Sequence, residues 1–271
     1  MSATIIITYR ANESGERHAN LLAVLRWLAE MPQLALIVVE QDSVPRLTQA
    51  LPHPSCQIVF AYNPGPFNKS WGLNLGARLA RTPVLVFTDA DLLVPGDSLL
   101  DSVAHCTGHH HMAKPYRRLL DLSPEATAQV QKAGVESLTG ALDMTASTRE
   151  AKGEFAPLCG GSFAIRTDSF YALGGWDERF VGWGGEDDAM SHKVQRARLP
   201  VLELDEVAAL HLWHPRAVDS AAGHGHYESN RALLARYLHY SEAERLRLAE
   251  VQVQVMGRRD KYQPSRDGIR A

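Results

Sequence analysis

Val84-Leu85-Val86-Phe87-Thr88-Asp89-Ala90-Asp91 is the stretch that decides the fold. Five consecutive apolar or β-branched residues read as a strand buried on both faces, as in a parallel sheet covered by helices. Asp89 and Asp91 leave its carboxyl end, where open parallel sheets bind ligands. In extended backbone residues i and i+2 point the same way, so the spacing predicts two carboxylates facing one cation.

Reading outward, Thr4 to Thr8, Leu34 to Val39 and Ile58 to Ala61 repeat the strand signal. Helical spacing separates them: Leu21, Leu22, Leu25 and Leu28 before Pro32, and Trp71 to Ala80 before Thr82-Pro83. The alternation predicts an α/β chain with a mostly parallel, Rossmann-like sheet flanked by helices. Beyond it, Pro95-Gly96 reads as a turn. Residues 101 to 157 are weakly patterned, with helix formers over 123 to 151. Phe155 to Ile165 reads as a strand interrupted at Cys159-Gly160-Gly161-Ser162, for a ligand or for close packing. Leu199 to Leu204 and Val207 to Leu212 are short apolar segments, and Tyr227 to about Lys261 is helical in pattern.

With 45% hydrophobic and 22% charged residues in 271, the chain is globular. A net charge of -3 without a basic block excludes nucleic acid as the main partner. Three widely spaced cysteines, Cys56, Cys106 and Cys159, suit buried thiols in a reducing compartment. The first residues run straight into a strand with no basic leader, and no run approaches the roughly 20 apolar residues of a membrane span, so the expected location is cytoplasmic. Arg258, Arg259, Lys261, Arg266 and Arg270 make the end basic; it reads as a frayed tail or as a peripheral contact with anionic lipid or acceptor.

Gly182-Trp183-Gly184-Gly185-Glu186-Asp187-Asp188 sets three adjacent acids behind two glycines and an indole. Mutual repulsion raises at least one carboxyl pKa, which suits a base for a sugar hydroxyl, and the indole offers an apolar wall. The acids also read as a first helical turn, with Met190, Val194 and Ala197 following at helical spacing. His211 and His214 share a face if their turn is helix-like and point apart if extended. His109-His110-His111 reads as a polar loop in preference to a metal tract. Lys114, Arg117 and Arg118 read equally as diphosphate contacts or as a solvated loop.

The order of these segments resembles the GT-A fold glycosyltransferases. It is most similar to the beta-1,4-galactosyltransferase type, with a bacterial family-two ending His211-Leu212-Trp213-His214-Pro215. Phe67 to Gly76, Val86 to Leu92, Cys159 to Ser162 with Gly174-Gly175-Trp176, and Gly182 to Asp188 carry the resemblance, which stops near residue 215. It implies a nucleotide-sugar-binding half at 1–100, an acceptor-binding and catalytic half at 101–215, and a helical extension at 216–271. It implies an inverting, metal-dependent hexosyl or N-acetylhexosaminyl transferase acting in polysaccharide biosynthesis, from a UDP-sugar to a glycan or lipid-linked glycan. By matched position, Asp91, His214 and His211 ligate Mn²⁺, with Mg²⁺ second because nitrogen ligands favour Mn²⁺. His211 stands where the galactosyltransferases have a sulfur ligand. Asp89 lies nearer the ribose, Trp183 lies against the sugars, Glu186 meets the donor sugar, Asp187 is the base and Asp188 a second acceptor contact. Ala189 replaces the family's fourth acid. Thr8, Tyr9, Arg10, Phe67 and Lys69, with Arg17 and Asn68 nearby, are placed around the nucleotide. The alternatives are a retaining N-acetylgalactosaminyltransferase-like enzyme and a non-catalytic carbohydrate-binding protein on a decayed GT-A fold.

Overall fold

The computed structural model describes residues 2–48, 50–138, 158–204, 206–215 and 221–263. The chain opens with strand β1 (Ala3–Tyr9), helix α1 (Glu16–Leu28), β2 (Ala35–Asp42), β3 (Cys56–Tyr62), α2 (Lys69–Leu79) and β4 (Val84–Thr88). β5 (Leu92–Leu93), α3 (Gly96–Thr107), β6 (Met112–Lys114), β7 (Arg118–Asp121) and α4 (Pro124–Ala133) follow. Then come β8 (Ser162–Arg166), α5 (Thr167–Ala172), α6 (Glu186–Arg196), β9 (Val201–Glu203), β10 (Ala208–His211), α7 (Ala221–Leu238) and α8 (Glu242–Val255). Among the described residues no helix is long and apolar enough to cross a membrane.

The strands make a seven-stranded sheet, β3-β2-β1-β4-β8-β6-β9, and a small sheet, β5-β10-β7. β1 to β4 pair in parallel, as the alternating pattern requires, while β8 runs antiparallel to β4 and β6. β1 and β4 are buried along their whole length. One apolar cluster joins their residues to Leu21, Val24, Leu25 and Leu28 of α1. On the other face Ile6, Leu85 and Phe87 meet Leu73 and Ala77 of α2, so the central strands are covered by helices on both sides.

Three readings are corrected by the structure. Pro95-Gly96 does not turn the chain out but starts α3, whose Leu99, Val103 and Cys106 are buried at helical spacing. The strand expected from Phe155 begins only at Ser162; residues 158–161 form a turn, and 155–157 lie outside the described residues. Its glycines serve packing: Gly160 O accepts from Lys114 Nζ at 2.6 Å and from the Tyr116 hydroxyl at 2.8 Å. The helical pattern after Tyr227 is two helices, because Ser241 and Glu244 form a capping box that starts α8 afresh.

The C-terminal part is packed into the domain. Lys193 Nζ of α6 donates to Gly175 O and to Gln252 Oε1 of α8, at 2.6 and 2.7 Å. Arg258 pairs with Asp260, Lys261 pairs with Glu178 at 2.6 Å, and Arg259 donates to Phe60 O. All three cations make these contacts while remaining exposed; Arg266 and Arg270 lie outside the described residues. Tyr262 sits edge-on to Trp71, with ring centroids 4.9 Å apart. Gly257 has φ +62°, and a β-carbon there would fall 2.6 Å from the Asn74 carbonyl. Gly257→Ala meets fixed backbone in a left-handed conformation, so it is expected to lower unfolding stability by about 2 kcal/mol or more, read from the denaturant midpoint.

Candidate active site

Both groups of functional side chains stand at the carboxyl end of β4. There the chain bends: residues 90–91 form a turn, so Asp89 and Asp91 do not share the extended geometry their spacing predicts. Their carboxylates diverge. Asp89 meets Lys69, and Asp91 meets two histidines, with His214 Nε2 at 3.1 Å and His211 Nε2 at 3.7 Å.

The small sheet builds the second group. His211 ends β10, in register with Leu92 of β5 on one side and with Asp121 of β7 on the other. Leu212 N donates to Asp91 O, and Leu122 N to His211 O, both at 2.8 Å. The backbone leaves the strand after His211, and the two imidazoles come to 5.4 Å between centroids. Asp91, His211 and His214 each offer one ligand atom, all within 4.8 Å of one another. Asp121 Oδ1 lies 3.0 Å from His211 Nδ1, which fixes that ring and turns Nε2 toward Asp91. Burial opposes ionisation of Asp91, but the hydrogen bond and charges of the histidines and the charge of Arg17 hold its pKa well below the usual range. The Asp91 hydrogen bond raises that of His214. One carboxylate and two imidazoles suit a divalent transition-metal ion.

The first group centres on Lys69, the first residue of α2. Asn68 caps the helix, its side chain accepting from Trp71 N at 2.9 Å. The Lys69 ammonium lies 2.9 Å from Asp89, 3.1 Å from Asp187 and 3.9 Å from Glu186. Burial disfavours this cation, but the three carboxylates outweigh it and hold its pKa well above the ordinary value. Glu186, Asp187 and Asp188 are the first turn of α6, as the helix-start reading requires. Burial, then the Asp187 charge, push Glu186 up to about 7. Burial and Asp89 raise Asp187 while Lys69 opposes them. Glu186 Oε2 is buried with no hydrogen-bond partner among the described residues. Asp188 is exposed, and Trp183 is 44% exposed on the preceding turn.

The residues expected around a nucleotide divide differently. Thr8 is interior, accepting from Gln41 Nε2 at 2.7 Å, and Tyr9 is only 2% exposed, so neither offers an open face to a base. Arg10 donates to the carbonyls of Gln41, Gly65 and Asn63 at 2.7 to 2.9 Å, and so braces a loop. Its guanidinium lies 5.8 Å from the centre of the half-buried Phe67 ring. Lys114 is buried under Gly160, and His111 bonds Ser169, away from the metal group.

The sequence model of glycosyl transferase family 2 matches residues 4–174, more than half of the chain. The chain belongs to glycosyl transferase family 2. A second model, described as the N-terminal domain of galactosyltransferase, matches residues 140–214, which include the acidic turn and both histidines of this family 2 protein. A search of curated proteins finds no match. Among solved structures, S. aureus TarS 1–349 with UDP-GlcNAc is 13% identical over 92% of this chain and 71% of that one, with TM-score 0.55. Glucosyl-3-phosphoglycerate synthase from Mycobacterium tuberculosis, with Mn²⁺, UDP-glucose and phosphoglyceric acid, is 14% identical over 89% and 81%, with TM-score 0.53. These likenesses show a shared fold. The family 2 chain spans 65% of the length of the catalytic domain of Drosophila beta1,4-galactosyltransferase 7, at TM-score 0.42.

Two contributors were not foreseen from the sequence. Asp121 sits in weakly patterned sequence, and only strand register brings it to His211. Gln41 is fully buried, bonding Thr8, Asn68 and Asn63 where β2 meets the start of α2, and it gives no motif signal.

Asp121→Asn removes the charge that orients His211, so Mn²⁺ affinity measured by calorimetry is expected to fall about 10- to 100-fold. The Glu186 pKa is raised on folding from 4.5 to about 7, so the folded state favours the protonated acid and loses stability as pH rises through that window. Glu186→Gln is therefore expected to raise the thermal midpoint at pH 8, by about 2–4 °C per kcal/mol relieved, and to leave it nearly unchanged at pH 4.

Proposed function

We propose that this family 2 protein transfers a hexose or N-acetylhexosamine from a UDP-sugar to a hydroxyl of a glycan or glycoconjugate, with inversion at the anomeric carbon. The observation that carries this reading is the Lys69 cluster. It stands beside an Asp-His-His group that fits a divalent cation, and below an exposed tryptophan. The S. aureus and M. tuberculosis proteins of similar fold are described with UDP-sugars, and the latter with Mn²⁺, which supports a UDP-sugar donor and that metal.

Asp187 accepts the proton of the acceptor hydroxyl while that oxygen forms the new bond to the anomeric carbon. The bond from that carbon to the diphosphate oxygen breaks in the same displacement, and its electron pair leaves with the diphosphate. Asp91, His211 and His214 would hold a divalent ion, whose positive charge would offset the negative charge of the leaving group. Lys69 opposes the rise in the Asp187 pKa that burial and Asp89 produce, and so favours the ionised base. Glu186, its proton affinity raised by burial and by the Asp187 charge, offers an unpartnered oxygen to a sugar hydroxyl. A single direct displacement of this kind inverts the anomeric centre.

Asp187→Asn is expected to lower the transfer rate about 10²- to 10⁴-fold while Mn²⁺-dependent UDP binding stays within about twofold. Calorimetry and a coupled UDP-release assay separate the two, and NMR of the product gives its anomeric configuration. A loss of UDP affinity equal to the loss of rate would remove Asp187 from the role of base.

A further inference from the structure

Helix α7 lies outside both matched family regions, yet it is built against the acidic turn. Asn230, 4% exposed, accepts from Val181 N at 3.3 Å and donates to Val181 O at 2.9 Å and Trp183 O at 3.2 Å. One amide thus holds the backbone on either side of Gly182. Gly182 and Gly184 are in left-handed conformations, and β-carbons there would fall 2.8 Å from His226 and 3.0 Å from Tyr227. The helix therefore seats directly on turn backbone that has no side chains.

This seating brings Tyr227 beside Trp183. The ring centroids are 5.3 Å apart with planes inclined at 39°. Arg231, one helical turn on, lies 5.8 Å from the centre of the Tyr227 ring. Tyr227 is half-buried, its hydroxyl has no hydrogen-bond partner among the described residues, and Trp183 is open to solvent. A tyrosine needed only for packing would be more deeply buried, with its hydroxyl paired. Two adjoining rigid rings, one with a free hydroxyl, make an apolar wall with a polar tip, four residues before the base. That chemistry suits a pyranose ring, which has an apolar C–H face and hydroxyls at its edge.

We propose that Tyr227, supplied by α7 and positioned by Asn230, forms with Trp183 a two-ring platform for a pyranose of the acceptor glycan, and so makes α7 a determinant of acceptor choice. This rests on the glycosyltransferase reading of the same site.

The test is titration of an immobilised glycan array with the full chain in the presence of Mn²⁺ and UDP. It compares wild type with Tyr227→Leu, Tyr227→Phe and, as a control on the same helix, the exposed Ser229→Ala. Calorimetric binding of UDP with Mn²⁺ runs alongside. Wild type is expected to retain pyranoside glycans, Tyr227→Leu to weaken them about 3- to 10-fold, Tyr227→Phe to fall between the two because it keeps the ring and loses the polar tip, and Ser229→Ala to stay near wild type. UDP affinity is expected to stay within twofold in Tyr227→Leu, a split that a general loss of structure would not produce. The proposal is overturned if wild type retains no saccharide, if Tyr227→Leu binds the array as wild type does, or if it loses UDP affinity in the same proportion. UDP binding by a wild type that retains no saccharide overturns the platform alone; absence of both overturns the underlying reading of the site.

Discussion

A single ammonium group is the constraint on which the site depends. Three carboxylates from two distant segments converge within 4 Å of Lys69, and without that cation their burial together would be strongly unfavourable. The surrounding bonds hold it in place. Asn68 starts the helix that carries it, Gln41 ties that helix start to the first two strands, and Asn74 joins α2 to the Trp176 backbone ahead of the acidic turn. The price of gathering the acids is visible in Glu186, whose proton affinity reaches the neutral range.

The two sheets divide the work. The large sheet delivers Asp89 and, through α2, Lys69. The small sheet sets His211 opposite Asp121 on one side and opposite Leu92, the residue after Asp91, on the other, so its register gathers side chains that no contiguous motif contains. Asp89 and Asp91 are separated by one residue yet face different partners, Lys69 and the two histidines, because the chain bends between them and carries one carboxylate into each arrangement.

Much of this was legible in the residues. Uninterrupted apolar runs such as Val84 to Thr88 can be stable only when covered on both faces, and those runs gave the parallel strands. Three adjacent acids after glycines marked the helix start that the structure has at Glu186. What escaped depended on tertiary pairing. Asp121 belongs to the metal group only through β7 and β10, and Tyr227 reaches Trp183 only because α7 folds back over the turn. Thr8, Tyr9 and Arg10 are placed around the nucleotide by position; in the fold Thr8 bonds Gln41 and Arg10 bonds three backbone carbonyls, contacts that no motif announces. Pro95-Gly96 misled because proline opens helices as readily as turns.

The seating of residues 257–262 against the start of α2 also bears on how the protein is made. Tyr262 accepts from Asn68 Nδ2, Arg258 O accepts from the Trp71 indole, and Gly257 lies on the Asn74 backbone, contacts that close loops of nearly two hundred residues. Such closures come late, after the local strand and helix pairs. A nascent chain can form its sheet well before residues 257–262 brace the start of α2, so the Lys69 cluster gains its full support only once residue 262 has been synthesised.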